Sequence, residues 1–106
     1  MDYAKLTEDL KAAQREVWLV TGEMEDGGTA NLDKVFLTLP RAHEAKVLEA
    51  IRNAGLYCRA KRRWIGDGYM LTVSKGQGDV NTKAVTVFVA EMERRGYEVL
   101  AYRQMD

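Results

Sequence analysis

The sequence predicts a small α+β domain of ferredoxin-like (βαββαβ) order. It is an antiparallel sheet with helices on one face, preceded by an N-terminal helix and an extra edge strand. Three observations carry this expectation. Segments 41–54 and 80–95 repeat apolar residues three and four apart, the period of a helix with one buried face. Short runs rich in β-branched and aromatic residues lie around them, bounded by glycine, proline and aspartate. From residue 33 the order is strand, helix, strand, strand, helix, strand, the split βαβ arrangement, whose strands sit in the order 4-1-3-2.

At 106 residues the chain reads as one domain, 1–106, large enough to bury a core without metal or disulfide support. Residues 1–31 form an acidic helix, strand and loop, and residues 32–106 the βαββαβ unit. The formal net charge is zero, so no global field draws the chain to DNA or anionic lipid. The distribution is uneven. Residues 1–31 hold seven acids against three bases, and residues 32–106 hold nine against thirteen. Such segregation gives a dipole able to orient a partner.

One cysteine, Cys58, excludes an internal disulfide and fits a reducing, cytoplasmic compartment. One histidine, His43, excludes a His-rich metal site, and no metal or cofactor is expected. No apolar run approaches the roughly 18 residues of a membrane helix, and the start Met1-Asp2-Tyr3-Ala4-Lys5 lacks the character of a signal peptide. No membrane association is expected.

The elements follow in order. Tyr3, Leu6, Leu10 and Ala13 stack on one face of a helix over 2–14, with Asp2 as its cap. Val17-Trp18-Leu19-Val20 is continuous, apolar and β-rich, and is read as the extra strand. Long enough to cross to an outer edge, the polar loop 22–32 carries Glu23, Glu25 and Asp26 and a mobile Asp26-Gly27-Gly28 tip. Residues 33–39 form the next strand, stopped by Pro40. Helix 41–54 carries the stripe Ala45, Leu48, Ile51 and Ala54, with Gly55 as its C-terminal cap. A hairpin follows, with arms 57–65 and 69–74 and the tip Gly66-Asp67-Gly68. Lys75-Gly76-Gln77-Gly78-Asp79 is a loop, and Asp79 or Asn81 caps helix 80–95. Residues 97–103 form the last strand, and Gln104-Met105-Asp106 a tail.

The hairpin's first arm is the chain's most distinctive stretch. It carries Arg59, Lys61, Arg62 and Arg63, and no acid lies between Glu49 and Asp67. Alternation along a strand puts Tyr57, Arg59, Lys61 and Arg63 on one face and Cys58, Ala60, Arg62 and Trp64 on the other. Of the second set Cys58, Ala60 and Trp64 suit the helix side, which leaves the first on the open side. Guanidinium and ammonium groups meet phosphates, and a tyrosine ring stacks on an unpaired base. The bland alternative is a cationic edge strand that blocks sheet-to-sheet pairing.

Nothing in the sequence assembles a catalytic unit. Cys58 and His43 are expected at opposite ends of a βα unit, and Glu91 and Glu93 lie two apart on a helix and do not converge. Gly76-Gln77-Gly78 lacks the spacing of a phosphate-binding loop. The reading is therefore a non-enzymatic binding protein that docks on another protein, modulating or inhibiting a nucleic-acid-handling enzyme. In that role Glu23, Glu25 and Asp26 mimic phosphate. The alternative is direct nucleic-acid binding through the strand 57–65. A third reading is a homodimer that pairs exposed strand edges.

Overall fold

The computed structural model describes residues 1–76 and 78–104. Of the segments expected as loop and tail, Gln77, Met105 and Asp106 lie outside the described residues. The chain forms α1 (Tyr3–Thr21), β1 (Lys34–Thr38), α2 (Glu44–Asn53), β2 (Lys61–Trp64), β3 (Gly66–Leu71), α3 (Gly78–Arg94) and β4 (Glu98–Tyr102). It is an α+β architecture, three helices with a four-stranded antiparallel open sheet ordered β2-β3-β1-β4.

Helix α1 overturns the expected extra strand. The Asp2 side chain caps it by accepting from Lys5 N at 2.9 Å, and the helix then runs through Val17-Trp18-Leu19-Val20 to Thr21. Leu6, Leu10, Ala13 and Val17 share one buried face. Val17 continues the spacing of four from Ala13, so a formed helix gains by extending, and packing outweighs the weak strand preference of a β-branched run. Trp18, Leu19 and Val20 are then thrown outward and left exposed.

The loop after α1 is seated on the first turn of α3. Asp79 N–H donates to the Gly27 carbonyl at 2.7 Å, and a Cβ on Gly78 would lie 1.8 Å from that oxygen. Only glycine permits this approach, at φ +53. Helix α3 thus begins at Gly78, ahead of the cap expected at Asp79 or Asn81. Asn81 instead turns inward, donating to Asn31 Oδ1 at 2.7 Å and the Asp33 carbonyl at 3.2 Å.

The second helix starts later than its periodicity suggested. Arg41 has φ 65, and Ala42 N bonds back to Leu39 O at 3.3 Å, so residues 40–43 make a turn. Its buried stripe is Val47, Ala50 and Ile51, with Ala45 exposed.

Register fixes the two faces of the sheet. Val35 pairs with Leu71 and Ala101, and Leu37 with Tyr69 and Val99. These residues join Leu6, Leu10, Val47, Ile51, Ala84, Phe88 and Met92 of the helices in one core, with Ala101 partly buried at its margin. The opposite face carries Lys34, Phe36, Thr38, Met70, Thr72, Glu98, Leu100 and Tyr102, because directly paired residues point the same way.

Charged pairs lock the helix layer. Asp9 on α1 is buried and accepts from Lys5 Nζ at 2.6 Å, Arg95 at 2.8 Å and the Tyr97 hydroxyl at 2.7 Å. Glu91 accepts from Arg95 Nε at 2.7 Å and from Arg94. At the other end Arg103 donates to Asp33 at 2.8 Å.

Candidate functional site: a cationic groove on the open sheet face

The basic arm is not one regular strand. Tyr57 bridges Thr72, whereas Lys61 pairs with Tyr69. Four steps on the first arm face three on the second, so one extra residue is accommodated between 57 and 61, as in a β-bulge. A one-residue slip exchanges the faces.

The expected alternation is therefore corrected. Tyr57 lies on the open side with Thr72. Lys61 and Arg63 stand opposite Tyr69 and Asp67, turned toward the helix side but on a strand exposed throughout. Arg62 and Trp64, opposite Gly68 and Gly66, are the open-face residues. The regular strand is only Lys61–Trp64, and the tip has moved: Trp64 pairs with Gly66 across Ile65, with Gly66 at φ 72, so Asp67 and Gly68 belong to β3.

Gly66 and Gly68 have a structural consequence. Two apart on one strand, they leave the open face of β3 bare, and aromatic rings fill the space. Trp64 meets Phe36 edge-on at 5.2 Å between centroids, and Tyr102 edge-on at 4.9 Å. Strands β2 and β4 are three ladder spacings apart, about 14 Å in a flat sheet. The Trp64–Tyr102 contact therefore requires the hairpin to curl over the open face. A Cβ at Gly68 would lie 2.5 Å from Phe36 Cζ and 2.8 Å from the Leu37 carbonyl oxygen, so the ring rests on the glycine backbone and is fully buried.

The curl makes a groove of about 470 Å³ between the basic arm and the sheet. Lys34, Arg59, Lys61 and Arg62 line it with Tyr57, Ala60, Met70 and Thr72. None of these residues is acidic; Lys34, Arg59 and Arg62 are its open-face cations, whereas Lys61 stands opposite Tyr69 on the helix side, its backbone N–H donating to Glu44 Oε2 at 3.1 Å. Lys34 Nζ donates to Thr72 Oγ1 at 3.0 Å. Among the described residues no carboxylate lies within ion-pair distance of any of the four. Elsewhere Lys5, Lys11, Arg94, Arg95 and Arg103 have carboxylate partners, while Arg15, Arg41, Arg52 and Arg63, like the groove cations, have none within ion-pair distance among the described residues. Such a cavity has the charge to hold an anion and one exposed ring, Tyr57, to cover a flat group.

No protein-family model, no curated protein and no solved structure matches this chain. The site is thus read from its own geometry.

Of the residues singled out from the sequence, Tyr57, Arg59 and Lys61 line the groove and Arg63 does not. Glu23, Glu25 and Asp26 are exposed on the loop after α1. No ion pair among the described residues joins Glu23 or Glu25 to the basic arm. Sequence reasoning placed Arg62 on the wrong face and missed Lys34 as a groove residue. The signal that could have found the curl was the pair of glycines two apart, a slot for a ring.

The remaining chemical candidates are quiet. Burial raises the Cys58 thiol above its ordinary pKa, which leaves it protonated and weakly nucleophilic, and its Sγ faces the Ala60 carbonyl at 3.7 Å. The Tyr69 hydroxyl is buried without a partner among the described residues, and burial raises its pKa too. Among the described residues no group of three or more His, Cys, Asp or Glu is placed to hold a metal, and no helix is long and apolar enough to cross a membrane.

Proposed function

We propose that this chain is a non-enzymatic binding module whose working surface is the cationic groove, and that its ligand is single-stranded nucleic acid. The carrying observation is the set of three open-face cations, Lys34, Arg59 and Arg62, without carboxylate partners among the described residues, beside the exposed Tyr57 ring. Phosphates are taken by Lys34, Arg59 and Arg62, and an unpaired base stacks on Tyr57. A duplex offers no free base face to that ring, so the module discriminates by strandedness.

Fluorescence anisotropy with a labelled mixed-sequence single strand and its duplex tests this. Three displaced counterions at about 0.7 each give a log–log salt slope of about −2 for the single strand. Arg59→Glu with Arg62→Glu abolishes binding while the far-ultraviolet circular dichroism is retained. Failure to bind at low salt, or equal binding by the charge-reversed variant, overturns the reading.

Docking on another protein is the second reading. It is favoured by the exposed Glu23 and Glu25 next to the exposed apolar end of α1, a composition suited to a basic protein cleft. We further read the architecture as ferredoxin-like, supported by the strand order, which from the opposite edge is β4-β1-β3-β2. A cytoplasmic location is supported by the single unpaired Cys58. Pairing of two β2 edges has little support, since it sets Lys61, Arg62 and Arg63 against like charges.

A further inference from the structure

The end of α1 is the largest anomaly on the surface. Trp18 is 62% exposed, Leu19 78%, Val20 40% and Met24 37%. Scattered apolar residues need no explanation, but four large ones gathered at one helix end mark an interaction site. Glu16, Glu23 and Glu25 flank them, all exposed. Two such ends do not pack against each other, because the acids repel. The occupant must offer apolar walls with a cationic rim.

This chain carries such a cavity. The groove has Tyr57 and Met70 for the apolar part and Lys34, Arg59 and Arg62 for the charge. An indole suits it, since cations beside the groove are attracted to a tryptophan face. Within one molecule the two cannot meet. The buried stripe of α1 packs on the helix side of the sheet, while the groove lies on the other face.

We propose that the apolar end of α1 docks in the cationic groove of a second copy, with Trp18 as the inserted side chain. The contact is heterologous, so copies join head to tail into a ring or an open chain. A formal net charge of zero, made of an acidic front and a basic remainder, leaves the approach of one copy to the next unopposed. The inference goes beyond nucleic-acid binding and does not depend on it. Both ligands use one groove, so a single strand competes with assembly.

Sedimentation velocity tests it on the full chain. Mass above the 12.0 kDa of one copy is expected to rise with protein concentration up to about 1 mM. It should fall between about 50 mM and about 500 mM salt. Trp18→Ala with Leu19→Ala removes the inserted end; Arg59→Glu with Arg62→Glu removes the groove. All four residues are exposed, so each variant keeps its fold, checked by circular dichroism. Each variant alone is monomeric. Their mixture re-forms one good contact and stops at a dimer, since the remaining end and groove are both disabled. Should either variant disturb the fold, Glu23→Lys with Glu25→Lys serves in its place and weakens assembly from the acidic side alone. A wild-type monomer across this range overturns the proposal. So does a groove variant that still self-associates, or a mixture that stays monomeric. Loss of oligonucleotide binding with assembly intact refutes the nucleic-acid reading alone.

Discussion

The substitution Gly68→Ala probes the feature that creates the groove. A methyl at this position would sit 2.5 Å from Phe36 Cζ, 2.8 Å from Phe36 Cε2 and 2.8 Å from the Leu37 carbonyl oxygen. The carbonyl belongs to the sheet backbone and has little freedom. The ring is fully buried and is held edge-on by Trp64, so it has nowhere to retreat without lifting the hairpin. Overpacking of this kind costs about 1–3 kcal/mol. Replacing glycine recovers about 0.4–1 kcal/mol by restricting the unfolded chain. The net expectation is a loss of about 1–2 kcal/mol, or roughly 4–16 °C in Tm for a domain of this size.

Urea titration of four chains measures it: wild type, Gly68→Ala, Phe36→Leu and the double variant. Leucine lacks the distal ring atoms that meet the new methyl, so the alanine penalty should shrink on that background. The expected coupling is about 0.5–2 kcal/mol. Gly66→Ala is the control. No atom lies within 4 Å of a Cβ there, but the φ of +72 strains any side chain. Its penalty should therefore be independent of residue 36. Gly68→Ala with wild-type stability, or with an equal penalty on both backgrounds, refutes the claim that the Phe36 ring lies on a bare strand.

Two further outcomes are expected. Burial pushes the Asp9 carboxyl upward, but the hydrogen bonds from Lys5, Tyr97 and Arg95 outweigh it and hold it below its usual range; Arg95 and then Arg94 do the same for Glu91 against burial. The unfolded chain then takes up protons first, so this stabilisation is complete at neutral pH and is lost as pH falls from about 4 through the lower folded values. Asp9→Asn should cost about 1.5–3 kcal/mol at neutral pH and flatten the acid limb of a stability–pH curve; an unchanged limb contradicts the assignment. Cys58 should react with iodoacetamide at pH 7 more slowly than a free thiol and catch up in urea, because burial raises its pKa. A native rate matching the denatured one removes the argument for an inert thiol.

Much of the frame was legible in residues 33–104, where periodicity and punctuation agree. Gly55 and Gly96 follow helices at φ 81 and φ 92, and Leu56 N and Tyr97 N close back on Ile51 O and Met92 O at 3.1 Å each, as helix-ending glycines should. Legibility failed where local preference and tertiary context disagreed. Val17–Val20 has strand chemistry, yet Val17 falls in step with Ala13 on a helix already packed, and packing decided. The faces of the basic arm failed for another reason. Alternation holds only while a ladder stays in register, and one extra residue before Lys61 exchanged the sides. No composition rule marks that bulge, because its signal is a pairing offset between segments 57–61 and 69–72. The site changed with it: Arg62 replaced Arg63, and Lys34 entered from the strand after the acidic loop, where the sequence reading had not singled it out.

The net charge misleads for a related reason. Sixteen cations and sixteen acids cancel across the chain, but they do not cancel pair by pair. The acids that are buried, Asp9, Asp33 and Glu91, are committed inside the fold to Lys5, Arg94, Arg95 and Arg103. Glu23 and Glu25 stand exposed on the loop after α1. The groove lining is therefore locally positive in a chain that is globally neutral, with Glu98 on the same sheet face but outside that lining. Water alone screens neighbouring like charges poorly when curled backbone walls them on one side. The same curl that buries Phe36 concentrates these charges, so a substitution that flattens the hairpin should weaken anion binding without touching a single cation. Gly68→Ala joins the two observations: one uncharged methyl, opposite Arg62 on the ladder, is expected to lower stability and groove affinity together.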